Sequence, residues 1–266
     1  MKNDIITKLK KNMNNGLINN LKKNHLNKND YHVIFKNFEK NPRILKKKFK
    51  KLAKLLGKTL PQDKSGKKFL EVTPNVSLLK KLTKQNQKKL LRYHQNNFFV
   101  SVHSDGPQLE SPPKYLMLAC LKQAKKGGYS IITYANKVYD FLKRKKPNYL
   151  KTLKKNFLME RRGFDYPNGN IFEKPIFEKK KNFFRFRYVR EYIEAAYKIK
   201  KIKLKPNQIR ALNFLDSLLK NKHFHIKCKL SKGDVVILNN YILGHARTKF
   251  SLDSKGQRRL MRAWVK

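Results

Sequence analysis

The chain has little of what stabilises a small secreted scaffold. It carries two cysteines, Cys120 and Cys228, in 266 residues, too few for a disulfide framework. Both fall in apolar, strand-like runs and read as buried free thiols, which points to a reducing cytoplasm. Cys120 has no histidine or acid patterned to activate it as a nucleophile. Long apolar runs are missing as well. No stretch approaches the ~20 residues of a membrane span. The start, Met1-Lys-Asn-Asp-Ile-Ile-Thr-Lys-Leu-Lys10, lacks the apolar segment of roughly 7–15 residues that a secretory signal needs. Acidic residues are scarce, 17 against 65 Lys and Arg, for a net charge of +48. That balance excludes an acidic-tail protein. Aromatic side chains are plentiful: 17 Phe and 12 Tyr supply a core that a disordered chain lacks.

The positive charge runs from end to end, as in Lys46–Lys51 and Lys179–Lys181. A dedicated nucleic-acid face would be a stripe with arginines and aromatics interleaved. The distribution reads instead as a lysine- and asparagine-rich bias on solvated faces, with only non-specific, salt-dependent contact to nucleic acid. The segment Phe183-Phe-Arg-Phe-Arg-Tyr-Val-Arg-Glu-Tyr192 alternates aromatics with arginines. It reads as an amphipathic strand, with Arg187 or Arg190 as candidates for the rim of a substrate pocket.

Apolar positions recur at helical spacing over residues 5–28, and Tyr31–Phe35 reads as a strand. Pro42 opens a helix through Leu56, and Gly57 stands where it stops. Residues 58–96 are polar and mixed, with a turn at 61–66. From residue 97 short strands and turn signals dominate: 98–103, 115–121, 129–133, 157–161, 171–177, 183–188, 224–230, 234–238 and 258–265. Helices are predicted at 135–142, from Pro147, and over 208–219. This pattern suggests a barrel or sandwich with helices packed on it.

The chemistry lies in Val102-His103-Ser104-Asp105-Gly106. Residues two apart on a strand share a face, so His103 and Asp105 can point an imidazole and a carboxylate at one spot. His245, in Leu238-Asn-Asn-Tyr-Ile-Leu-Gly-His-Ala-Arg-Thr248, is a second candidate ligand. Two histidines and one carboxylate leave open positions on a metal, the ligand set of non-haem Fe(II) oxygenases. His223 and His225, with no carboxylate beside them, read as an edge face.

The surroundings of these residues sharpen the picture. The run His103-Ser-Asp-Gly-Pro-Gln-Leu-Glu-Ser-Pro-Pro-Lys-Tyr-Leu-Met-Leu resembles the metal-binding segment of the taurine dioxygenase/clavaminate synthase-like family of Fe(II)- and 2-oxoglutarate-dependent oxygenases. Two further landmarks follow in order. One is Lys126-Gly-Gly-Tyr-Ser130. The other is the C-terminal block Lys232-Gly-Asp-Val-Val-Ile-Leu-Asn-Asn240, His245-Ala-Arg-Thr-Lys-Phe250 and Arg258-Arg-Leu-Met-Arg-Ala-Trp264. The resemblance covers residues 95–266 well and is thin before them.

It implies a mixed α and β fold, a double-stranded β-helix (jelly-roll) core with flanking helices. It implies one oxygenase domain over 1–266, with a flank at 1–95 and a metal- and 2-oxoglutarate-binding core at 96–266. His103, Asp105 and His245 match the iron ligands. Ser130 matches the hydroxyl that touches the distal carboxylate of 2-oxoglutarate. Arg259, fourteen residues after His245, matches the arginine that pairs with that carboxylate, and Arg258 is its register alternative.

Some family members carry a second arginine, four residues on, that faces an anionic substrate. From Arg259 that position is Ala263, whereas from Arg258 it is Arg262. Arg262, Arg187 and His94 are the candidate substrate contacts. The implied activity is hydroxylation of an unactivated C–H bond of a small molecule, using Fe(II), 2-oxoglutarate and O2. The competing expectation is a catalytically silent basic binding protein on the same scaffold.

Overall fold

The protein is described by a computed structural model over residues 2–83, 93–161, 170–253 and 257–266. In chain order come helices α1 (Lys2–Lys11) and α2 (Asn15–Leu21), strand β1 (His32–Phe35), helix α3 (Pro42–Leu56), strands β2 (Thr59–Leu60) and β3 (Phe69–Val72) and helix α4 (Val76–Lys81). Strands β4 (Val100–His103), β5 (Tyr115–Lys122) and β6 (Ser130–Tyr134) follow, then helices α5 (Ala135–Lys145) and α6 (Pro147–Leu153). Next are β7 (Asn156–Glu160), β8 (Ile171–Pro175), β9 (Phe177–Lys180) and β10 (Phe183–Phe186), and helices α7 (Arg190–Ile199) and α8 (Pro206–Lys220). Strands β11 (His225–Cys228), β12 (Val235–Asn239), β13 (Leu243–Arg247) and β14 (Arg259–Val265) close the chain.

Two antiparallel sheets position the site. The larger runs β1-β12-β5-β14-β2, with β3 also paired to β14, and the smaller runs β11-β6-β13-β4. The period-2 alternation of the large sheet divides its residues between two cores. Met117, Ala119, Val235, Ile237, Met261 and Ala263 face outward, onto Leu45, Phe49 and Leu52 of α3. Leu116, Cys120, Val236, Leu238, Leu260 and Trp264 face inward, where they meet Ile132 and Leu243 of the small sheet. A third core covers the outside of the small sheet with α5, α6 and α8. This is the expected mixed α and β architecture, two antiparallel sheets with flanking helices.

Several local expectations need correction. The helix predicted over 5–28 is interrupted: Asn14 caps α2 by accepting the Leu17 N–H at 2.9 Å, because asparagine favours caps over helix interiors. The polar stretch 58–72 yields β2 and β3, which pair with β14, so strands at both ends of residues 32–72 belong to the large sheet. The alternation at 183–192 does not continue as a strand. β10 ends at Phe186, and α7 begins at Arg190 with Ile193, Ala196 and Tyr197 on its buried face. The strand that carries His245, β13, had no strong strand pattern of its own. Within the polar, mixed stretch 58–96, Val76–Lys81 forms helix α4, and 84–92 lie outside the described residues.

Candidate metal and cosubstrate site

β4 and β13 are adjacent in the small sheet, with His103 and His245 as register partners. Pairing sets their rings 4.2 Å apart between centroids. Asp105 follows β4 by two residues, just before Gly106 at φ +63. A side chain at Gly106 would meet Pro113 at 2.8 Å, so glycine there lets the chain turn without disturbing the carboxylate. One ligand atom from each of His103, Asp105 and His245 lies within 4.8 Å of the other two.

The surroundings set the state of each group. The His103 Nδ1 donates to the Ser101 carbonyl at 2.8 Å, which leaves Nε2 with its lone pair, 3.9 Å from Asp105 Oδ1. Burial pushes the His103 imidazole below its ordinary range. Burial, reinforced by the neighbouring His103, takes His245 down to about 3. Both rings are therefore neutral, the form that binds metal. Burial opposes ionisation of Asp105, but Arg262, the two histidines and Trp264 outweigh it and hold the carboxyl at about 2. Asn240 fixes the Asp105 backbone from both sides. It accepts from the Asp105 N–H at 2.8 Å and donates to the Asp105 and Pro113 carbonyls, each at 2.9 Å.

The cavity behind the three ligands lies between the sheets. It encloses about 690 Å³ including its mouth, and its lining includes Ser130, Ile132, Cys228, Leu118, Leu260 and Arg258. Arg258 is 4% exposed. Its Nε donates to Gln123 Oε1 at 2.9 Å, and burial lowers the guanidinium to about 10. Among the described residues no carboxylate pairs with it. The Gly-Gly landmark makes room for it: Gly128 sits at φ +72, and a side chain there would come within 3.2 Å of Arg258 Nε.

Arg259, by contrast, does not reach this cavity. Its side chain is 47% exposed and pairs with Glu71 at 2.9 Å, beside Arg43, Lys46 and Lys122. The reason is strand parity. Leu260, Arg262 and Trp264 face inward, so Arg258 does too and Arg259 cannot. Of the two register alternatives, the structure brings Arg258 and not Arg259 to the cavity, together with Arg262 four residues on.

The three candidate substrate contacts are placed differently. Arg262 lines the cavity, with Nη1 3.3 Å from Asp105 Oδ2 and Nε donating to Gln62 Oε1 at 2.6 Å. Arg187 is 1% exposed and does not line the cavity. It donates to the Pro107 and Leu109 carbonyls at 2.6 and 2.7 Å, so it is a buried clamp on the loop after Asp105. His94 belongs to a single 3-10 turn, Tyr93–Gln95, and its side chain lies outside the described residues. Arg190, the other rim candidate, is held by Glu194 and Asp216.

Other residues around the site carry weaker sequence signals. Tyr93 lines the cavity with its ring 5.0 Å from His103, and its hydroxyl donates to Glu191. Arg247, the arginine two residues past His245, donates to the carbonyls of Tyr93, Asn96 and Phe98 and ties that segment to β13. Trp264 is buried in the inner core and also donates to Asp105 Oδ2 at 2.9 Å. Its place two residues past Arg262 on a strand was the available signal. Gln62 gave none.

The chain matches the family model described as taurine catabolism dioxygenase TauD, TfdA family, over residues 29–264, and it belongs to that family. It is 27% identical to gamma-butyrobetaine dioxygenase of Homo sapiens over 170 residues, which are 62% of this chain and 44% of that one. It is 24% identical to FR-33289 synthase of Streptomyces rubellomurinus over 185 residues, 66% of this chain and 52% of the relative. The chain thus matches about half the length of these relatives. An asparagine oxygenase solved with Fe(II), 2S,3S-3-hydroxyasparagine and succinate superposes with a TM-score of 0.73 at 14% identity, covering 94% of this chain and 78% of that one. The non-heme iron oxygenase OrfP with Fe and alpha-ketoglutaric acid superposes at 0.68 and 13% identity, covering 98% and 83%. These likenesses establish the fold.

Proposed function

We propose that the protein is an Fe(II)- and 2-oxoglutarate-dependent dioxygenase that hydroxylates an unactivated C–H bond of a small molecule, releasing succinate and CO2. One observation carries this reading. One cavity is lined by His103 and His245, whose ligand atoms converge with that of Asp105, and by Arg258, a buried arginine with no carboxylate partner among the described residues. The donor set of two neutral imidazoles and one carboxylate suits Fe(II) and leaves positions open for a chelating oxoacid and O2. A buried guanidinium is costly without an anion, and its planar fork suits a carboxylate.

In this reading His103, Asp105 and His245 hold the iron. Iron with its bound oxoacid supplies the oxidising power when O2 arrives. Arg258 and Ser130 hold the distal carboxylate of 2-oxoglutarate. Leu118, Ile132 and Leu260 keep water from the cavity. Asn240 sets the direction of Asp105. Arg262 is the retained candidate for contact with substrate. Asp105 fills the place a halide would need, so hydroxylation is favoured over halogenation.

A small-molecule substrate is supported by the hydroxylated amino acids named in the structural neighbours, asparagine and arginine derivatives. Nucleic acid is assigned only non-specific contact through net charge. A cytoplasmic setting is supported by the free cysteines, and among the described residues no helix is long and apolar enough to cross a membrane.

The test is turnover coupled to succinate formation, screened over small amino acids and betaines with Fe(II) and 2-oxoglutarate present. Substrate-dependent succinate that vanishes in His245→Ala is expected. Well-folded protein that binds neither metal nor 2-oxoglutarate would overturn the reading and favour the silent scaffold.

A further inference from the structure

The two oxygens of the Asp105 carboxylate stand in different surroundings. Oδ1 faces the His103 Nε2 at 3.9 Å. Oδ2 accepts the indole N–H of Trp264 at 2.9 Å. Arg262 Nη1 lies 3.4 Å from Oδ1 and 3.3 Å from Oδ2. Arg262 is itself immobilised. Its Nε is used by Gln62 Oε1 at 2.6 Å, its backbone carbonyl accepts from Gln62 Nε2 at 3.0 Å, and its guanidinium lies over the Trp264 ring at 4.9 Å. Gln62 is 3% exposed, and its Nε2 also donates to the Lys68 carbonyl at 2.9 Å.

An aspartate carboxylate is a broad two-fold rotor. Without a fixed donor on one oxygen it can turn, and either oxygen, or both, can meet a metal. Here the indole holds one oxygen from the large sheet, and the Gln62–Arg262 pair braces the indole and the carboxylate from the turn between β2 and β3.

We propose that Trp264, braced by Gln62 and Arg262, is a positioning residue that fixes Asp105 with Oδ1 toward the histidines and so sets the affinity of the metal centre. The proposal rests on the metal-centre reading above. It also gives the turn between β2 and β3 a part in the site, through Gln62. Partners that orient a metal ligand typically change affinity ten- to hundredfold when removed.

The chain has one tryptophan, so tryptophan emission reports on the surroundings of Trp264, Asp105 among them. Two measurements test the proposal. Mn(II) binding to metal-free protein, followed by the free-ion electron paramagnetic resonance signal, compares wild type, Trp264→Phe and Gln62→Leu, with His245→Ala as the control that removes a ligand. We expect Trp264→Phe to weaken Mn(II) about tenfold or more and Gln62→Leu to weaken it less, while circular dichroism of both matches wild type. Equal affinity in folded Trp264→Phe overturns the proposal and leaves the metal-centre reading intact. Wild type that binds no Mn(II) overturns both.

The second measurement needs no variant. Stoichiometric Zn(II) added to wild type is expected to change the intensity or position of Trp264 emission in step with binding, and not in His245→Ala. Zn(II) that binds without altering the emission contradicts the contact between indole and ligand, whether or not Trp264→Phe folds.

Discussion

Arg258 and Arg259 are neighbours in sequence and opposites in setting. Arg258 points between the sheets, buried, with a glutamine as its hydrogen-bond partner. Arg259 points to the outside of the large sheet and forms a two-armed ion pair with Glu71. The same side chain is buried with no carboxylate partner among the described residues in one place and a surface bridge in the other. Their positions follow the alternation of β14, whose residues Leu260, Arg262 and Trp264 commit its inward face.

The comparison is broken most sharply by Arg258→Met. Removing one partner of a buried charge pair typically costs 2–5 kcal/mol of binding, so the 2-oxoglutarate concentration needed to saturate the site should rise by about 100-fold, read by calorimetry with Mn(II) in place of iron. The ligand-free variant should melt no lower than wild type, since a buried cation without an anion is replaced by an apolar chain. A structural arginine would give the reverse: lower melting and unchanged binding.

Asn240→Ala comes next. It strips the Asp105 N–H and two carbonyls of their partner while buried. A loss of about 3 kcal/mol in denaturant unfolding is expected, with weaker metal binding alongside.

The third test uses pH. His245 is held at about 3 in the folded chain, against an ordinary 6.5. Below pH 6.5 the unfolded chain takes up a proton that the folded chain refuses, so the stability of metal-free protein should fall as pH drops from 6.5 toward 3. His245→Ala should flatten that slope. Metal affinity should stay level between pH 8 and 6.5, because neither ligand histidine has a proton to release there.

Arg259→Ala is the smallest effect. An exposed bridge is worth about 0–1 kcal/mol, so melting should shift little and 2-oxoglutarate binding should not shift at all.

The same contrast explains what was legible in the sequence. His103, Asp105 and His245 could be named because local spacing and neighbouring glycines, prolines and asparagines surround them in a recognisable order. The short apolar runs of β5 and β12 announced strands. The choice between Arg258 and Arg259 was not legible. It depends on which residues of β14 meet the inner core, and counting from His245 crosses a loop whose path is not written in its residues. Gln62 could not be found either, since its part comes from β2 and β3 folding back onto β14, 200 residues away in sequence. Arg187 looked like a rim residue because strand alternation was extended past Phe186. The helix that follows turns it inward onto the Pro107 and Leu109 carbonyls.

The central claim is that one inward arginine and three ligands form a single site for Fe(II) and 2-oxoglutarate. The direct measurement is an anaerobic titration of metal-free protein with Fe(II) and 2-oxoglutarate, following the weak visible charge-transfer band of the chelate in wild type, His245→Ala, Arg258→Met and Arg259→Ala. The account predicts a band in wild type and Arg259→Ala at the same 2-oxoglutarate concentration, none in His245→Ala, and one in Arg258→Met only at far higher concentration. A band that depends on Arg259 and ignores Arg258 would contradict the placement of the cosubstrate, and no band in folded wild type would contradict the site itself.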